Sequence, residues 1–292
     1  MAISHSFLTG ATRLVFIVGD PVSQVKSPQW VTPRLRELGA DLIVVPAQVK
    51  PENLMDFMLM ADRMPNVVGM IVTVPHKFAA LQECHETSPR ARDIGAVNLM
   101  KRSPRGGWYG DMQDGVGHVL ALRRRGFDPL QKRVLVVGAG GAGSAIALAL
   151  SVAGAGSIAV HDLDPARRDK LLQKLRNQGP ASPEIGSTNP EGFDLVVNAT
   201  TMGMNPQDPL PIDIRQLSAR TFVSDVITIP TSPPLIESAR RRGCPTLTGC
   251  QMFDTMRDLI VDFFIEAETP HAHLHETPEK FNWPSAKQSP IE

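Results

Sequence analysis

The sequence predicts an α/β protein with two domains, on three observations. The chain has 292 residues, which is long for a single hydrophobic core. Apolar residues make up 42% of it and charged residues 21%, a balance typical of folded proteins and not of disordered ones. Along most of its length, short β-branched runs alternate with stretches of helical periodicity. That alternation is typical of sheets whose strands are connected by helices.

The first third of the chain contains three apolar runs that are predicted to be buried strands. They cover residues 13–20, 41–49 and 67–75. A helix is predicted between the first two runs and ends at Gly39. Ser27 and Thr32 each precede a proline, so either residue suits its start. A second helix, over residues 51–64, spaces its apolar residues on one face. Residues 95–110 are predicted to form two short strands around a Pro/Gly turn.

A second series of strands and helices begins at residue 132. Its predicted strands cover residues 132–139, 157–162, 194–200, 221–227 and 246–249. Its predicted helices cover residues 140–154, 165–179 and 249–267, and a polar tail follows. Strands that alternate with helices in this way indicate a parallel, doubly wound sheet.

The charges of the chain give no sign of a nucleic-acid or membrane partner. Thirty basic residues balance thirty acidic ones, so the formal net charge is zero. The arginine runs at 123–125 and 240–242 each end a predicted helix just before a glycine, where cations complement the helix dipole. No apolar run approaches the roughly 20 residues of a membrane-spanning helix. The first residues lack the pattern of a signal peptide, so the cytoplasm is the expected compartment.

Cysteine and histidine usage predicts no disulfide framework and no metal site. The cysteines are few, odd in number and unevenly spaced: Cys84, Cys244 and Cys250. Histidines alternate in the polar tail, at His271, His273 and His275. Such a pattern can bind metal, but no cysteine or carboxylate cluster completes a ligand set around it.

The strongest single motif is the glycine loop in "VLVVGAGGAGSA". Gly138, Gly140 and Gly143 form G-x-G-x-x-G directly between a predicted strand and a predicted helix, with Gly141 and Ala142 inside the loop. The first glycine permits a tight turn, the second lets a pyrophosphate approach the backbone, and the third allows close packing of helix on strand. The start of the helix adds amide donors and a favourable dipole. The motif in this setting predicts a dinucleotide-binding loop.

An acidic residue follows at the end of the next predicted strand. Asp162 lies 24 residues after Gly138, where a carboxylate would accept the ribose hydroxyls of NAD. The 2′-phosphate of NADP would meet that negative charge. Arg167 and Arg168 on the following helix are an alternative partner for the phosphate. NAD is therefore the preferred cofactor, and NADP is the second candidate.

The strand at 67–75 ends at a proline and is followed by His76 and Lys77. A lysine just beyond a strand is most often a solvated loop charge, because exposed lysines are the rule. It is also the place where a catalytic side chain would stand. The residues around it leave both interpretations open.

Seven short motifs follow one another in the order found in one enzyme family. They read "GDPVSQVKSP", "VTVPHK", "GAVNL", "GDMQDGVG", "GAGGAGSA", "NATTMGM" and "GCQMF". By these motifs the chain resembles the shikimate/quinate dehydrogenases from about residue 17 to about residue 265. Each motif is short, and their collinearity carries the resemblance.

The resemblance implies roles for five polar residues. Lys77 and Asp114 match the family's catalytic pair, and Asn98 a group that binds a substrate hydroxyl. Ser27 and Thr73 match residues that line the same cleft. The chemistry suits such a pair, since hydride transfer from an alcohol requires that the hydroxyl proton leave as well. A lysine can move that proton while a carboxylate orients it.

The resemblance also implies the rest of the cofactor site and the architecture. Asn198, Thr200 and Met202 match the family's turn at the cofactor, and Gly249 opens the closing helix beside it. Residues 1–113 and 248–292 are expected to form an α/β substrate domain. Residues 114–247 are expected to form a Rossmann-type NAD(P)-binding domain, across a cleft from the first.

Departures from the family pattern fall in the expected substrate pocket. Polar family residues are replaced by Val25, Ile71, Leu99, Ile227 and Met256. In relatives, a pair of serines and a tyrosine contact the substrate carboxylate, and Val25 and Ile227 stand at two of those positions. A site loses discrimination when its polar partners vanish. The pattern favours an alcohol other than shikimate or quinate, and drift with an unchanged substrate is the alternative.

The predicted activity is reversible hydride transfer between a cyclic secondary alcohol and NAD(P). The substrate candidates are shikimate or quinate, an aminoshikimate-like compound, and a less polar, carboxylate-free cyclic alcohol. A non-catalytic, cofactor-binding regulator is a different class, and the presence of Lys77 and Asp114 argues against it. "GAVN" and "NATTMGM" argue against a methylenetetrahydrofolate dehydrogenase. The expected partner is a small molecule, without nucleic acid or membrane, and the chain is expected to be a monomer or a homodimer.

Overall fold

A computed structural model describes residues 8–205, 207–265 and 281–283 of the chain. The strands are β1 (Arg13–Gly19), β2 (Leu42–Gln48), β3 (Val67–Val72), β4 (Cys84–Thr87), β5 (Leu99–Arg102), β6 (Trp108–Asp111), β7 (Arg133–Val137), β8 (Ser157–His161), β9 (Ser182–Ile185), β10 (Leu195–Asn198), β11 (Phe222–Asp225) and β12 (Thr246–Leu247). The helices are α1 (Ser27–Glu37), α2 (Leu54–Asp62), α3 (Lys77–Leu81), α4 (Pro89–Ile94), α5 (Asp114–Arg124), α6 (Gly141–Val152), α7 (Pro165–Gln178), α8 (Pro234–Arg241) and α9 (Gly249–Ile265).

The strands and helices predicted from the apolar pattern are confirmed. Of the two residues that could begin α1, the structure selects Ser27 over Thr32. The helix begins at Ser27 and contains Pro33. Thr32 does not cap it, because its hydroxyl accepts a hydrogen bond from the Val44 amide of β2 at 2.9 Å. Two strands and two short helices were not predicted: β4, β9, α3 and α4.

The described residues form two compact units, which differ from the predicted domains in four segments: residues 88–96, 112–113, 248–259 and 281–283 were predicted for the substrate domain and lie in unit 2. Unit 1 comprises residues 8–87, 97–111 and 260–265, and unit 2 comprises the rest. Residues 88–96 belong to unit 2 because Lys174 Nζ donates hydrogen bonds to the carbonyl oxygens of Asp93 and Ile94 in α4. The first part of α9 also belongs to unit 2, because Met256 packs against Gly117 of α5.

Unit 1 is built on a mixed six-stranded sheet in the order β2-β1-β3-β5-β6-β4. β1 is parallel to β2 and β3, β5 is antiparallel to β3 and β6, and β4 is parallel to β6. Because β1, β2 and β3 run in one direction, the loops that follow them emerge at one edge of the sheet. The core of the sheet is aliphatic and includes Val15, Val31, Leu35, Leu42, Met58 and Met70.

Unit 2 is built on a parallel sheet in the order β12-β11-β10-β7-β8-β9. The chain starts in the middle with β7, builds outward through β8 and β9, and returns to add β10, β11 and β12 on the other side. The strand order therefore reverses between β7 and β10, the place where doubly wound sheets bind their ligands. This confirms the predicted fold class of the second series.

Two further findings concern membranes and metals. Within the described ranges, every helix is too short or too polar to cross a lipid bilayer. The part of the chain that the structure describes holds no cluster of three or more side chains suited to a metal ion. The three tail histidines lie outside the described residues.

Candidate active site

The glycine loop after β7 has the geometry that its motif predicts. Gly138 has φ 103°, and a side chain there would come within 2.9 Å of the Ala199 backbone. A side chain at Gly143 would clash with the carbonyl oxygen of Gly138. A Cβ at Gly140, in contrast, would have no neighbouring atom within 4 Å. Gly140, Gly141 and Ala142 are half-buried at the start of α6, so the loop suits a pyrophosphate in contact with the helix terminus.

Asp162 lies beside this loop, as predicted. Its Oδ2 accepts a hydrogen bond from the Ala139 amide at 2.6 Å, and its Oδ1 accepts one from the Asp164 amide at 2.8 Å. The carboxylate therefore holds the glycine loop by a hydrogen bond to its backbone. The two arginines considered for NADP pair with neighbouring acids: Arg167 with Asp164 at 3.2 Å and Arg168 with Asp169 at 2.8 Å.

The turn after β10 is organised by Asn198, which is 0% exposed. Its Oδ1 accepts hydrogen bonds from the Thr200 amide at 3.1 Å and the Thr200 hydroxyl at 2.6 Å. Its Nδ2 donates to the Met202 carbonyl at 3.1 Å and to Asp225 at 3.0 Å. Thr200 and Met202 are half-buried, and the Thr200 methyl lies next to Gly138. Asn198 thus shapes the turn, and Thr200 and Met202 are its accessible members.

The loops after β11 and β12 adjoin this turn. The Ile227 amide donates to Asp225 Oδ1 at 2.9 Å, and the end of the Ile227 side chain faces Gly203. A side chain at Gly249 would clash with the Ile227 carbonyl, so only glycine allows α9 to begin there. The structure therefore brings the glycine loop, the Asn198 turn, Ile227 and Gly249 together at the carboxyl edge of the unit 2 sheet.

Asp114 is the first residue of α5 and is buried. A side chain at the next residue, Gly115, would clash with the Ala145 carbonyl of α6, so the two helices pack closely at their starts. One turn further along α5, Gly117 contacts the side chain of Met256 from α9. Asp114 therefore stands near the beginning of the helix that follows the glycine loop.

In unit 1, Lys77 begins α3, which is connected to the end of β3 by residues 73–76. The preceding residue, His76, donates from Nε2 to the Val49 carbonyl at 2.7 Å and ties the start of α3 to the end of β2. The Lys77 carbonyl accepts a hydrogen bond from the Val97 amide at 2.9 Å. The backbone of this lysine is thus fixed at the carboxyl edge of the sheet, with its side chain half-buried.

Asn98 and Thr73 belong to the same edge. The backbone carbonyl of Asn98 accepts a hydrogen bond from the Val72 amide at 2.7 Å, and the backbone amide of Asn98 donates one to the Asp111 carbonyl at 2.9 Å. The Thr73 methyl lies against Gly19, where a side chain would clash with it. Unit 1 therefore brings together Thr73, Lys77 and Asn98, three of the predicted site residues.

The remaining predicted pocket residues differ in exposure. Ser27 is buried at the first position of α1, and Val25 is half-buried in the loop before it. Ile71 and Leu99 are opposite each other across β3 and β5, and both are buried. Two of the departures from the family pattern thus occupy paired, buried positions within the sheet. Ile227 and Met256 are buried as well.

Sequence reasoning missed Asp225, which ends β11 and is 1% exposed. Burial raises its pKa to about 7, and the hydrogen bonds from Asn198 and Ile227 act in the opposite direction. An acidic residue that ends an apolar strand was the available signal.

It also missed His118, one helical turn after Asp114 and 0% exposed. Its Nε2 lies 2.8 Å from Ser224 Oγ, and its Nδ1 has no hydrogen-bond partner among the described residues. Burial lowers the pKa of His118 to about 3, so the imidazole is neutral in the folded chain.

His118 is expected to make the chain less stable in mild acid. The unfolded histidine takes up a proton below about pH 6.5 and the folded one does so only near pH 3, so the free energy of unfolding falls as pH drops between these values. For a drop from about pH 7.5 to about pH 5 the His118 contribution is a loss of about 2 kcal/mol. The raised pKa of Asp225 acts in the opposite direction over this range, so the His118 contribution is measured as the difference between the parent and the variant. The double variant His118→Leu with Ser224→Ala removes both partners and should lack this loss in urea unfolding. His85→Leu, at an exposed histidine, is the control and should keep the loss. If the double variant loses as much stability as the parent, His118 is not the cause of the pH dependence.

The sequence and the fold are similar to those of known enzymes. Residues 17–100 match the family described as the shikimate dehydrogenase substrate binding domain. A shikimate dehydrogenase (NADP(+)) from Geobacter sulfurreducens is 32% identical over 271 residues, which cover 90% of this chain and 94% of the relative.

Solved enzyme structures have a similar fold. Shikimate 5-dehydrogenase from Listeria monocytogenes, in complex with shikimate and NAD, has a TM-score of 0.79 at 26% identity, covering 90% of this chain and 94% of that one. The ligand-free 5-ketofructose reductase of Gluconobacter sp. strain CHM43 has a TM-score of 0.76 at 28% identity, covering 87% and 93%.

The parallel sheet with its glycine loop, the matched substrate-binding segment and the identity over nearly the whole chain lead to one conclusion. The chain belongs to the shikimate dehydrogenase family, whose members are oxidoreductases that act on CH–OH groups with a nicotinamide cofactor.

Proposed function

We propose that this chain is a dehydrogenase of a cyclic secondary alcohol in which Lys77 and Asp114 move the hydroxyl proton. The observation that carries the proposal is the setting of Lys77. Its backbone is bonded to Val97, and the next residue, Asn98, is held to the end of β3. A lysine and an asparagine are thus held by backbone hydrogen bonds at one edge of the sheet, as a site that orients a hydroxyl requires.

Unit 2 is proposed to hold the dinucleotide. The loop of Gly138, Gly140 and Gly143 offers backbone amides and open space for a pyrophosphate, and the turn with Thr200 and Met202 adjoins it. When bound, the nicotinamide supplies the acceptor or donor of the hydride. The substrate domain is proposed to comprise residues 1–113 and 248–292, and the cofactor domain residues 114–247.

The polar side chains then divide the remaining work. As the carbon of the alcohol loses its hydride, the Lys77 amine takes the proton from the hydroxyl oxygen and returns it in the reverse direction. The Asp114 carboxylate accepts a hydrogen bond from the lysine or from a substrate hydroxyl and keeps them aligned. The Asn98 amide binds a neighbouring hydroxyl. General acid–base catalysis of this kind is worth roughly 100- to 10,000-fold in rate.

A second candidate is the same chemistry on a substrate without a carboxylate. The specific observation is that Val25 and Ile227 offer no hydroxyl where the family resemblance places donors to a carboxylate. The similarity to an enzyme named for the reduction of 5-ketofructose, a keto sugar, supports this candidate. Aminoshikimate-like compounds, and shikimate or quinate themselves, are the other substrates to compare.

A substrate panel tests the proposal. Formation of reduced nicotinamide is followed with shikimate, quinate, aminoshikimate and carboxylate-free cyclic polyols, each with NAD and with NADP. Turnover of one class identifies the substrate. Tight dinucleotide binding without turnover of any of them would favour the non-catalytic regulator.

The chain is expected to prefer NAD to NADP, because Asp162 would repel the 2′-phosphate. Asp162→Ser should narrow the ratio of the two kcat/KM values by about 10-fold. The ratio is the appropriate readout, because losing the bond to the Ala139 amide weakens the loop for both cofactors alike. Arg167→Ala is the companion variant. The Geobacter relative is named for NADP(+). If the parent enzyme also prefers NADP, the expectation is wrong, and Arg167 or Arg168 must bind the 2′-phosphate.

A further inference from the structure

Asp225 is a buried carboxylate whose neighbours are amides and not cations. The residue ends β11 in register with Asn198, which ends the neighbouring β10. One carboxylate oxygen accepts from Asn198 Nδ2 at 3.0 Å, and the other accepts from the Ile227 amide at 2.9 Å. Burial raises the pKa of Asp225, the two hydrogen bonds act in the opposite direction, and no charged side chain contributes.

The bond from Asn198 joins the ends of β10 and β11, and the bond from the Ile227 amide closes a turn within the loop after β11. Asn198 also bonds to Thr200 and Met202, so its orientation sets the shape of the whole turn at 198–204. Ile227 in turn supports the start of α9 at Gly249. The Asp225 carboxylate therefore ties the Asn198 turn to the loop after β11, beside the backbone hydrogen bond from the Val226 amide to the Asn198 carbonyl at 3.1 Å.

We propose that Asp225 is a positioning residue for the nicotinamide site: it holds the turn at 198–204 and the backbone of Ile227 in the arrangement that binds the cofactor. This inference rests on the proposed function, since it takes that turn as part of the dinucleotide site. Asp225 acts through Asn198 and Ile227 and needs no contact with the cofactor.

The position requires a side chain that only accepts. Both neighbours donate N–H groups, and an ionised carboxylate accepts both. A protonated acid or an asparagine has a donor on one side, so it can satisfy one neighbour and opposes the other. An apolar residue would leave both N–H groups buried without a partner.

The test is Asp225→Asn, studied in the full-length chain. NADH and NADPH binding is measured by fluorescence titration, kcat and KM by steady-state kinetics, and stability by thermal unfolding at about pH 8. The dissociation constant of the dinucleotide is expected to rise about 10-fold. Stability should not fall. The folded carboxyl binds its proton up to about pH 7 and the unfolded one only up to about pH 4, so the ionised form opposes folding at higher pH.

Two further variants complete the test. Asp213→Asn is the matched control, because Asp213 accepts the Arg215 amide on the surface of the same unit, and its change should leave the dissociation constant unaltered. The double change Asn198→Asp with Asp225→Asn exchanges donor and acceptor between the strands. It restores the bond between the strands and the acceptor for Ile227, but it replaces the bond to Met202 with a contact between two oxygen acceptors. Affinity should therefore recover in part, by at least about 3-fold over Asp225→Asn.

The outcomes separate this inference from the proposed function. If the parent binds neither dinucleotide, the proposed function fails and this inference fails with it. If the parent binds and Asp225→Asn binds equally well, only the inference is wrong. A drop in thermal stability with unchanged affinity would show a purely structural role, and the exchange variant decides the matter if the single variant does not fold.

Discussion

Lys77→Ala is expected to reduce the turnover number by at least ~100-fold while dinucleotide affinity stays near that of the parent. Without the amine, the proton of the substrate hydroxyl has no positioned acceptor. The fold should persist, because the Lys77 carbonyl, and not its side chain, receives the Val97 amide. Turnover is measured by the absorbance of reduced nicotinamide, and affinity by fluorescence titration.

Lys50→Ala is the matched control for this variant. Lys50 is an exposed lysine that follows Val49, the residue whose carbonyl anchors His76, and removing its side chain should leave turnover unchanged. The companion change, Asp114→Asn, keeps the size of the side chain and should lower turnover on a similar scale. Asp56→Asn, at an exposed acid in the first turn of α2, controls for loss of helix-dipole stabilisation. Near-parental turnover in either Lys77→Ala or Asp114→Asn would remove that residue from the mechanism.

Efficiency with shikimate is expected to be two to four decades below that with the best carboxylate-free alcohol. Hydrogen bonds to a charged group contribute about 1.5–3 kcal/mol each, and two such donors are absent at Val25 and Ile227. Their loss weakens transition-state binding of a carboxylate substrate by roughly 3–6 kcal/mol. The values of kcat/KM across the substrate panel test this expectation.

Val25→Ser with Ile227→Tyr should raise kcat/KM for shikimate by at least about 10-fold. Val25 is half-buried in a loop and accepts a serine easily, whereas Ile227 is 4% exposed and faces Gly203, so tyrosine there can overpack the turn. Each single variant is therefore measured as well, with thermal unfolding beside the kinetics. Ile185→Ser, at an exposed position of β9, is the control for a new hydroxyl.

A parent chain that oxidises shikimate as efficiently as its best carboxylate-free substrate would contradict the pocket argument. In that case another group must hold the carboxylate. Gln24 is the nearest candidate in the loop before Val25, and its Nε2 donates to the Pro21 carbonyl at 2.9 Å in this structure. Gln24→Ala would then lower shikimate efficiency, while under the present proposal it leaves the preference unchanged.

The glycine loop could be predicted in detail because its requirements are local. Gly138 needs a positive φ, and Gly143 contacts a carbonyl only five positions earlier in the chain. The same holds for the buried strands, whose β-branched runs show burial without reference to any partner. The order of strands and helices also indicated a parallel sheet, since a parallel pair needs a long connection.

The polar strands β4 and β9 required knowledge of their partners. Their sequences, "CHET" and "SPEI", show neither alternation nor an apolar run. They are strands because their backbones pair with β6 and β8. Similarly, α4 lies in unit 2 because of Lys174, which is some 80 positions away in sequence.

The buried titratable residues show the same limit most clearly. The position of Asp225 at the end of "FVSD" is a weak signal, but neither "FVSD" nor "DGVGH" shows that Asp225 and His118 are buried. The hydrogen-bond partner of Asp225 is Asn198, 27 positions away, and the partner of His118 is Ser224, 106 positions away. The dinucleotide loop and the family motifs could be read from the sequence because each depends on adjacent residues. Burial, and with it the pKa of these two groups, depends on which distant segments the fold packs around them.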